Sequence, residues 1–359
     1  MQSVDLEIRR DDLRTCRFLE SPAGDSRQPG QVLLRIEKFG LTANNITYAV
    51  FGEAMSYWDF FPATQGWGRL PVWGFGEVAA SENDEIKPGG RYFGYFPASS
   101  HLVVQADVNA AGFVDAAEHR QTLPAAYNQY ALTTSDPAYD AEHENEQMIM
   151  RPLFFTSFLL ADFLAEGELF GAQTAILSSA SSKTAYGLAF LLAAGTPRPR
   201  IVGLTSAGNL DFTESLGIYD EVATYEQVDG LTREGAVVYV DMAGDLSVRN
   251  AVHRHFAEDL VHSAVVGATH WDAERPEADL PGPDPAFFFA PTQLQKRAKD
   301  WGPAGVQERF GEAWKGFSEP LGGWMQVTEA SGQDAVERVY LDLLEGRANP
   351  RQGHVLSLG

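Results

Sequence analysis

The segment Thr174–Ala194, TAILSSASSKTAYGLAFLLAA, joins an apolar strand to an apolar helix through a turn of small hydroxylic residues. Backbone N–H groups in such a turn, with the helix N-terminus behind them, attract phosphate. Ser179, Ser181, Ser182, Lys183 and Thr184 are therefore the first candidates for holding a dinucleotide, the hydroxyls adding hydrogen bonds and Lys183 a charge. The turn carries no glycine: Ser179, Ser182 and Ala185 fall where a G-x-x-G-x-x-G spacing would put them. Two readings stand together, a pyrophosphate cradle and an ordinary serine-capped helix start that has lost its ligand. The next strand, Arg200–Ser206, runs into Ala207-Gly208-Asn209 without the carboxylate that holds the ribose hydroxyls in many NAD sites. Thr205, Ser206 and Asn209 suit the 2′-phosphate of NADP(H) instead.

Other reactive side chains are spread along the chain. His262 and His270 flank a later apolar strand; His270 is either a proton donor, with Trp271 walling a pocket, or a packed histidine. His253, His255 and His262 lack a zinc-ligand spacing, and the single Cys16 adds no partner, so no metal site is expected. Tyr48, Phe51, Tyr57, Trp58, Phe60, Phe61, Trp67 and Trp73 form an aromatic cluster broken by glycine and proline. It reads either as the lining of a pocket for a flat or apolar molecule or as a satellite core beneath a long loop. Tyr48, Tyr127 and Tyr130 are acid donors in the first case and packed rings in the second. No G-x-S-x-G nucleophile elbow occurs.

These groups need a scaffold of two domains, the natural number for 359 residues. Residues 1–145 read as short strands with Gly/Pro punctuation: Gln31–Phe39, Val72–Ala80, Tyr92–Phe96 and His101–Gln105, the pattern of a β-rich barrel or sandwich. The acidic stretch Thr134–Gln147 separates them from residues 146–323. There strands at Thr174–Ser179, Arg200–Ser206, Glu221–Thr224, Ala236–Met242, Leu260–Gly267 and Ala286–Ala290 alternate with helical segments, as in a doubly wound parallel α/β sheet. A tail, 324–359, returns to complete the first domain. A net charge of −22 disfavours nucleic acid and anionic membrane surfaces. No apolar run reaches the roughly 20 residues of a bilayer span. A polar N-terminus and one cysteine point to the cytoplasm.

Taken in order, these segments resemble the medium-chain dehydrogenase/reductase superfamily, in its zinc-independent, quinone-oxidoreductase-like branch. The resemblance is carried by Gln31–Asn45 (QVLLRIEKFGLTANN), Ile86–Arg91 (IKPGGR), Val202–Asn209 (VGLTSAGN), Leu216–Tyr225 (LGIYDEVATY) and Val237–Gly244 (VVYVDMAG). Ala125–Tyr130 (AAYNQY) and Gly267–Trp271 (GATHW) are similar to an uncharacterised branch known only as a domain of unknown function. The resemblance implies a GroES-like β-rich barrel domain and a Rossmann domain. It places Tyr225 beside the 2′-phosphate, Ala268, Thr269 and His270 against the nicotinamide, and Ala243 and Ala290 along the cofactor rim. Asn45, Tyr57, Trp58, Phe61 and Trp271 would border the substrate, and a homodimer is implied. The expected work is NADPH-dependent reduction of an activated double bond or carbonyl in a small hydrophobic or aromatic molecule. Non-redox lyase chemistry and non-catalytic ligand binding on the same scaffold remain the alternatives.

Overall fold

The computed structural model describes residues 2–24, 27–266 and 280–359, and the chain forms two compact units. The first comprises Met1–Ile149 with Met325–Gly359, the second Met150–Trp324.

In the first unit, alternation of apolar and polar residues gives strands with one face toward a core. Six of them, Gln31–Leu41, Pro71–Ser81, Arg91–Pro97, Gln129–Leu132, Gly112–Asp115 and His101–Asn109, pair antiparallel in that order. The last returns to the first, Val32 opposite Val104 and Leu34 opposite Leu102, so the sheet closes into a barrel and leaves no edge there. The tail extends the sheet through Gln352–Ser357 and Gln326–Ser331. Leu34, Phe39, Val72, Phe96 and Phe113 fill the core. A separate hairpin, Gln2–Arg9 with Asp12–Pro22, carries Trp67–Arg69 on its other edge. The hairpin and the short strands at Gly112–Asp115 and Gln129–Leu132 escaped the sequence reading because their alternation is interrupted or only four residues long.

The second unit is a six-stranded sheet, numbered here within that unit: β1 (Thr174–Leu177), β2 (Arg200–Thr205), β3 (Glu221–Thr224), β4 (Val237–Asp241), β5 (Leu260–Val265) and β6 (Ala286–Phe287). All pairs are parallel and the order is β3-β2-β1-β4-β5-β6, the arrangement of a dinucleotide-binding Rossmann sheet. Strands buried on both faces read as continuous apolar runs, as TAIL and VVYVD do. Ala175, Leu177, Ile201, Val238 and Val240 point to one face, where Leu188, Ala189 and Leu192 of helix α1 (Lys183–Ala194) cover them. Ile176, Val202, Leu204, Val237 and Tyr239 point to the other, beneath Val252 and Phe256 of α2 (Leu246–Phe256).

One helical stretch, Ala141–Glu166, is long and apolar enough to cross a membrane by composition, contrary to the sequence expectation, and 56% of its most apolar window is buried inside the protein.

Candidate functional site

The turn after β1 is anchored by a buried polar network. The Ser178 hydroxyl, fully buried, donates to Asp241 Oδ1 at 2.9 Å and accepts the N–H groups of Met242 at 3.0 Å and Ala243 at 3.1 Å. Asp241 Oδ1 also accepts from Gly244 N–H at 2.9 Å, and Oδ2 from Arg249 Nε at 2.8 Å. Both members of this ion pair are buried. The network ties the C-terminal ends of β1 and β4 together, where the strand order reverses and α/β sheets take their ligands.

Ser179 takes the left-handed conformation, φ +50°, which costs a non-glycine residue about 1 kcal/mol. Its N–H donates to the Tyr225 hydroxyl at 3.2 Å. Ala180 gives its N–H to the Leu204 carbonyl at 2.9 Å and accepts the Tyr219 hydroxyl at 2.7 Å. This packing is tight: a Cβ built on Gly203 of β2 would stand 2.9 Å from Ala180 Cβ and 3.0 Å from the Tyr219 ring. The close approach usually provided by glycine within such a turn comes here from a glycine on the adjacent strand. Ser182 caps α1, its Oγ accepting from Ala185 N–H at 3.2 Å. Ser181 Oγ accepts from Asn209 Nδ2 at 3.3 Å, and the Thr184 carbonyl accepts the Ser157 hydroxyl at 2.8 Å.

The hydroxyls of Ser178, Ser181 and Ser182 therefore shape the turn, and the first N–H groups of any α-helix, α1 included, have no acceptor within the helix itself. With the positive end of the helix dipole they form an anion-attracting surface. Lys183 is half-buried, and loss of hydration pushes its amine down to about 8. At the end of β2, Thr205 is fully buried with an Oγ1 that has no hydrogen-bond partner among the described residues, and Ser206 is half-buried beside it. Ala243 is buried against Ser178, and Ala290 opens the helix Ala290–Ser318. Ala268, Thr269, His270 and Trp271 lie outside the described residues.

His253, His255 and His262 are held structurally. His253 bridges the Pro281 carbonyl and Ser263 Oγ, each at 2.9 Å, and His255 Nε2 binds the Leu231 carbonyl at 2.9 Å. His262 stacks on Phe170 with ring centroids 3.9 Å apart. Burial lowers the pKa of both His253 and His262.

In the first unit the aromatic cluster has a definite form. Tyr48, Tyr57, Phe60, Phe61 and Tyr95 are buried together, with Trp73 and Tyr127 half-buried against them. Several assigned roles change. Asn45 closes a capping box, its Oδ1 accepting from Thr42 N–H at 2.7 Å and its Nδ2 donating to the Pro71 carbonyl at 2.8 Å, so its amide is committed to the backbone. Tyr130 is fully buried and donates to the Tyr95 carbonyl at 2.7 Å, which leaves it no proton for a substrate. Trp58 is 2% exposed and fits between Gly52 and Gly68, where any Cβ would strike its indole. Phe61 lies under the Arg120 guanidinium, 4.6 Å from its ring centroid. A cleft of ≈ 760 Å³ lies beside the cluster, with Met55, Trp58, His119 and Leu123 in its wall.

Sequence reasoning missed Ser178, Asp241, Arg249, Gly203 and Tyr95. The carboxylate ending the apolar run Val237–Val240 was the available signal, since a buried charge needs a partner.

The family described as "Protein of unknown function (DUF2855)" matches residues 39–349. No curated protein matches the sequence. Among solved structures the chain is similar to CurA in complex with NADPH from Vibrio vulnificus, at 15% identity and TM-score 0.64, over 100% of this chain and 99% of that one. It is similar to a mutant form of enoyl thioester reductase from Candida tropicalis at 12% identity and TM-score 0.57, over 99% and 100%. The yhdH oxidoreductase from Salmonella enterica, in complex with NADP, gives 12% and 0.53 over 100% of both chains. The fold shared with them is a β-rich barrel together with a parallel Rossmann-type sheet.

Proposed function

The chain belongs to the DUF2855 family, and from that premise and the Ser178–Thr184 turn we propose that it is a cytoplasmic, zinc-independent, NADP(H)-dependent oxidoreductase. Its substrate would be the activated double bond or carbonyl of a small hydrophobic or aromatic molecule. The observation that carries this reading is the turn itself: a β1-to-α1 connection at the sheet's reversal point, fixed by Asp241 and Arg249, with the N-terminus of α1 directly behind it.

The residues fit the cofactor. Gly203 lets Ala180 pack close against β2, and Ser206 and Asn209 bring no carboxylate to repel a 2′-phosphate. The Thr205 hydroxyl, without a partner among the described residues, lies at the same strand end. Backbone N–H groups of the turn and the Lys183 amine would hold the pyrophosphate. When bound, NADPH supplies a hydride to the electrophilic carbon; the protein's own part is placement and polarisation. One observation favours non-catalytic ligand binding instead: the Ser179 N–H, a natural phosphate donor, is already taken by Tyr225.

Titration of the full chain with NADPH and NADH, followed by nicotinamide fluorescence, separates the two. Selective NADPH binding is expected, weakening as pH rises past about 8 and Lys183 loses its charge. Lys183→Met should weaken binding and abolish that pH step. Binding of neither nucleotide would overturn the oxidoreductase reading.

A further inference from the structure

The cleft of ≈ 760 Å³ lies wholly within the first unit, walled by residues from 54–63 and 119–124 together with Arg10. Small-molecule sites occupy about 300–1,000 Å³, so there is room for a ligand. One wall comes from neighbouring residues of opposite character. In the short helix Tyr57–Phe60, Trp58 is locked between Gly52 and Gly68, while Asp59 beside it is exposed. Met55, Pro62, Leu123 and Pro124 add apolar surface. The charged and basic groups of the lining are not equally free. Arg10 is already engaged, its Nη1 donating to Glu53 Oε1 at 2.9 Å and its Nε to the Trp67 carbonyl at 2.8 Å. His119 Nε2 lies 3.3 Å from the Phe60 carbonyl; a carbonyl only accepts, so Nε2 carries the proton and Nδ1 of the neutral ring is left as an acceptor. The Asp59 carboxylate has no hydrogen bond or ion pair among the described residues. With Arg10 balanced by Glu53, the unbalanced charge of the cleft is negative. The hydroxyls of Ser56 and Thr122 can donate or accept.

We propose that this cleft is a binding site for an organic ammonium ion that carries an apolar or aromatic group. Asp59 supplies the counter-charge, His119 Nδ1 a second acceptor, and the surface of Trp58, Met55 and Leu123 takes the hydrocarbon. An alkylammonium has three N–H donors and no acceptor, the complement of what Asp59 and His119 leave open. An anion would meet Asp59 while the Arg10 guanidinium is held elsewhere. A neutral hydrocarbon would cover a carboxylate without pairing it, which costs desolvation. A divalent metal takes about four to eight ligands, and the described lining offers it one carboxylate and one imidazole. The net charge of −22 concentrates cations near the surface. The site uses nothing of the Ser178–Thr184 turn and does not rest on the oxidoreductase reading.

The test is calorimetric titration of the full chain with 2-phenylethylamine, 2-phenylethanol and 3-phenylpropionate, which share a ring and a two-carbon chain and differ in charge. Physiological ionic strength screens attraction from distant carboxylates. The amine should bind about tenfold more tightly than the alcohol, and the carboxylate more weakly than either. Asp59→Asn should lose about tenfold of amine affinity and bring the amine level with the alcohol. Its melting temperature should not change, because the carboxylate holds nothing in the fold. Glu85→Gln removes another exposed charge outside the cleft and should keep wild-type affinity. Equal affinity for amine and alcohol, no amine binding, wild-type amine affinity in Asp59→Asn, or an equal loss in Glu85→Gln would overturn the proposal. No nucleotide enters this titration, so the proposal and the oxidoreductase reading fail separately.

Discussion

The turn of the second unit and the tyrosine cluster of the first treat their polar groups in opposite ways. Around Ser178–Thr184 the hydroxyls of Ser178, Ser181 and Ser182, with Asp241, Arg249 and Asn209, pair with one another or with backbone, and the element that attracts an anion is the N-terminus of a helix. In the cluster the main chain is locked in strand and short helix, and the buried Tyr95 hydroxyl has no hydrogen-bond partner among the described residues. A site built on backbone tolerates a change of side chains if the geometry survives, which is how a glycine-free turn keeps the form of a phosphate loop. Substitutions that unpair groups in the first region should therefore cost stability, which removal of the Tyr95 hydroxyl should not.

Asp241→Asn tests this contrast most severely. It leaves Arg249 buried without its counter-charge, which costs about 3–5 kcal/mol, and denaturant unfolding should show that loss. A change under 1 kcal/mol would mean the network does not brace the sheet. Gly203→Ala pushes a Cβ into Ala180 and Tyr219 and should cost about 1–3 kcal/mol by overpacking. NADPH affinity is expected to fall with it if the turn is displaced; an unchanged Kd beside lowered stability would separate the turn from cofactor binding. Ser179→Gly has the smallest effect and the opposite sign. Glycine accepts φ +50° freely, so stability should rise by up to about 1 kcal/mol, read as a small increase in Tm.

Much of the second unit was legible because parallel strands announce themselves. Apolar runs such as Ile201–Leu204 and Val237–Val240 sit at regular spacing between helical segments, and their ends fell within one or two residues of the observed strands. The turn was legible for the same reason, since small residues between strand and helix leave few alternatives. The partners inside it were not. Ser178 meets Asp241 across 63 residues of sequence and Ser179 meets Tyr225 across 46, and no local pattern encodes such pairings. Tyr225 drew notice through family resemblance as a phosphate neighbour, yet its hydroxyl holds the turn's own backbone.

In the first unit the aromatic residues were visible but their roles were not. Trp58 and Tyr130 belong to the main core and Tyr95 to the cluster, although all three are aromatic residues in strand or turn segments of similar composition. Only the closure of the barrel sorts them by depth, and only depth decides whether a hydroxyl meets a carbonyl, as in Tyr130, or no partner among the described residues, as in Tyr95.

By itself the sequence determined the two-domain α/β plan, the strand–turn–helix that opens the Rossmann sheet, and the missing carboxylate at the end of β2. These follow from periodicity and residue type, which act over a few neighbouring positions. Tertiary structure alone decided that a glycine on β2 replaces those missing from the turn, that serines serve the scaffold, and that Tyr48, Tyr57, Tyr95 and Tyr127 pack their rings together. Those are facts of contact between distant segments, and hydrogen bonds are counted only after the chain has closed on itself.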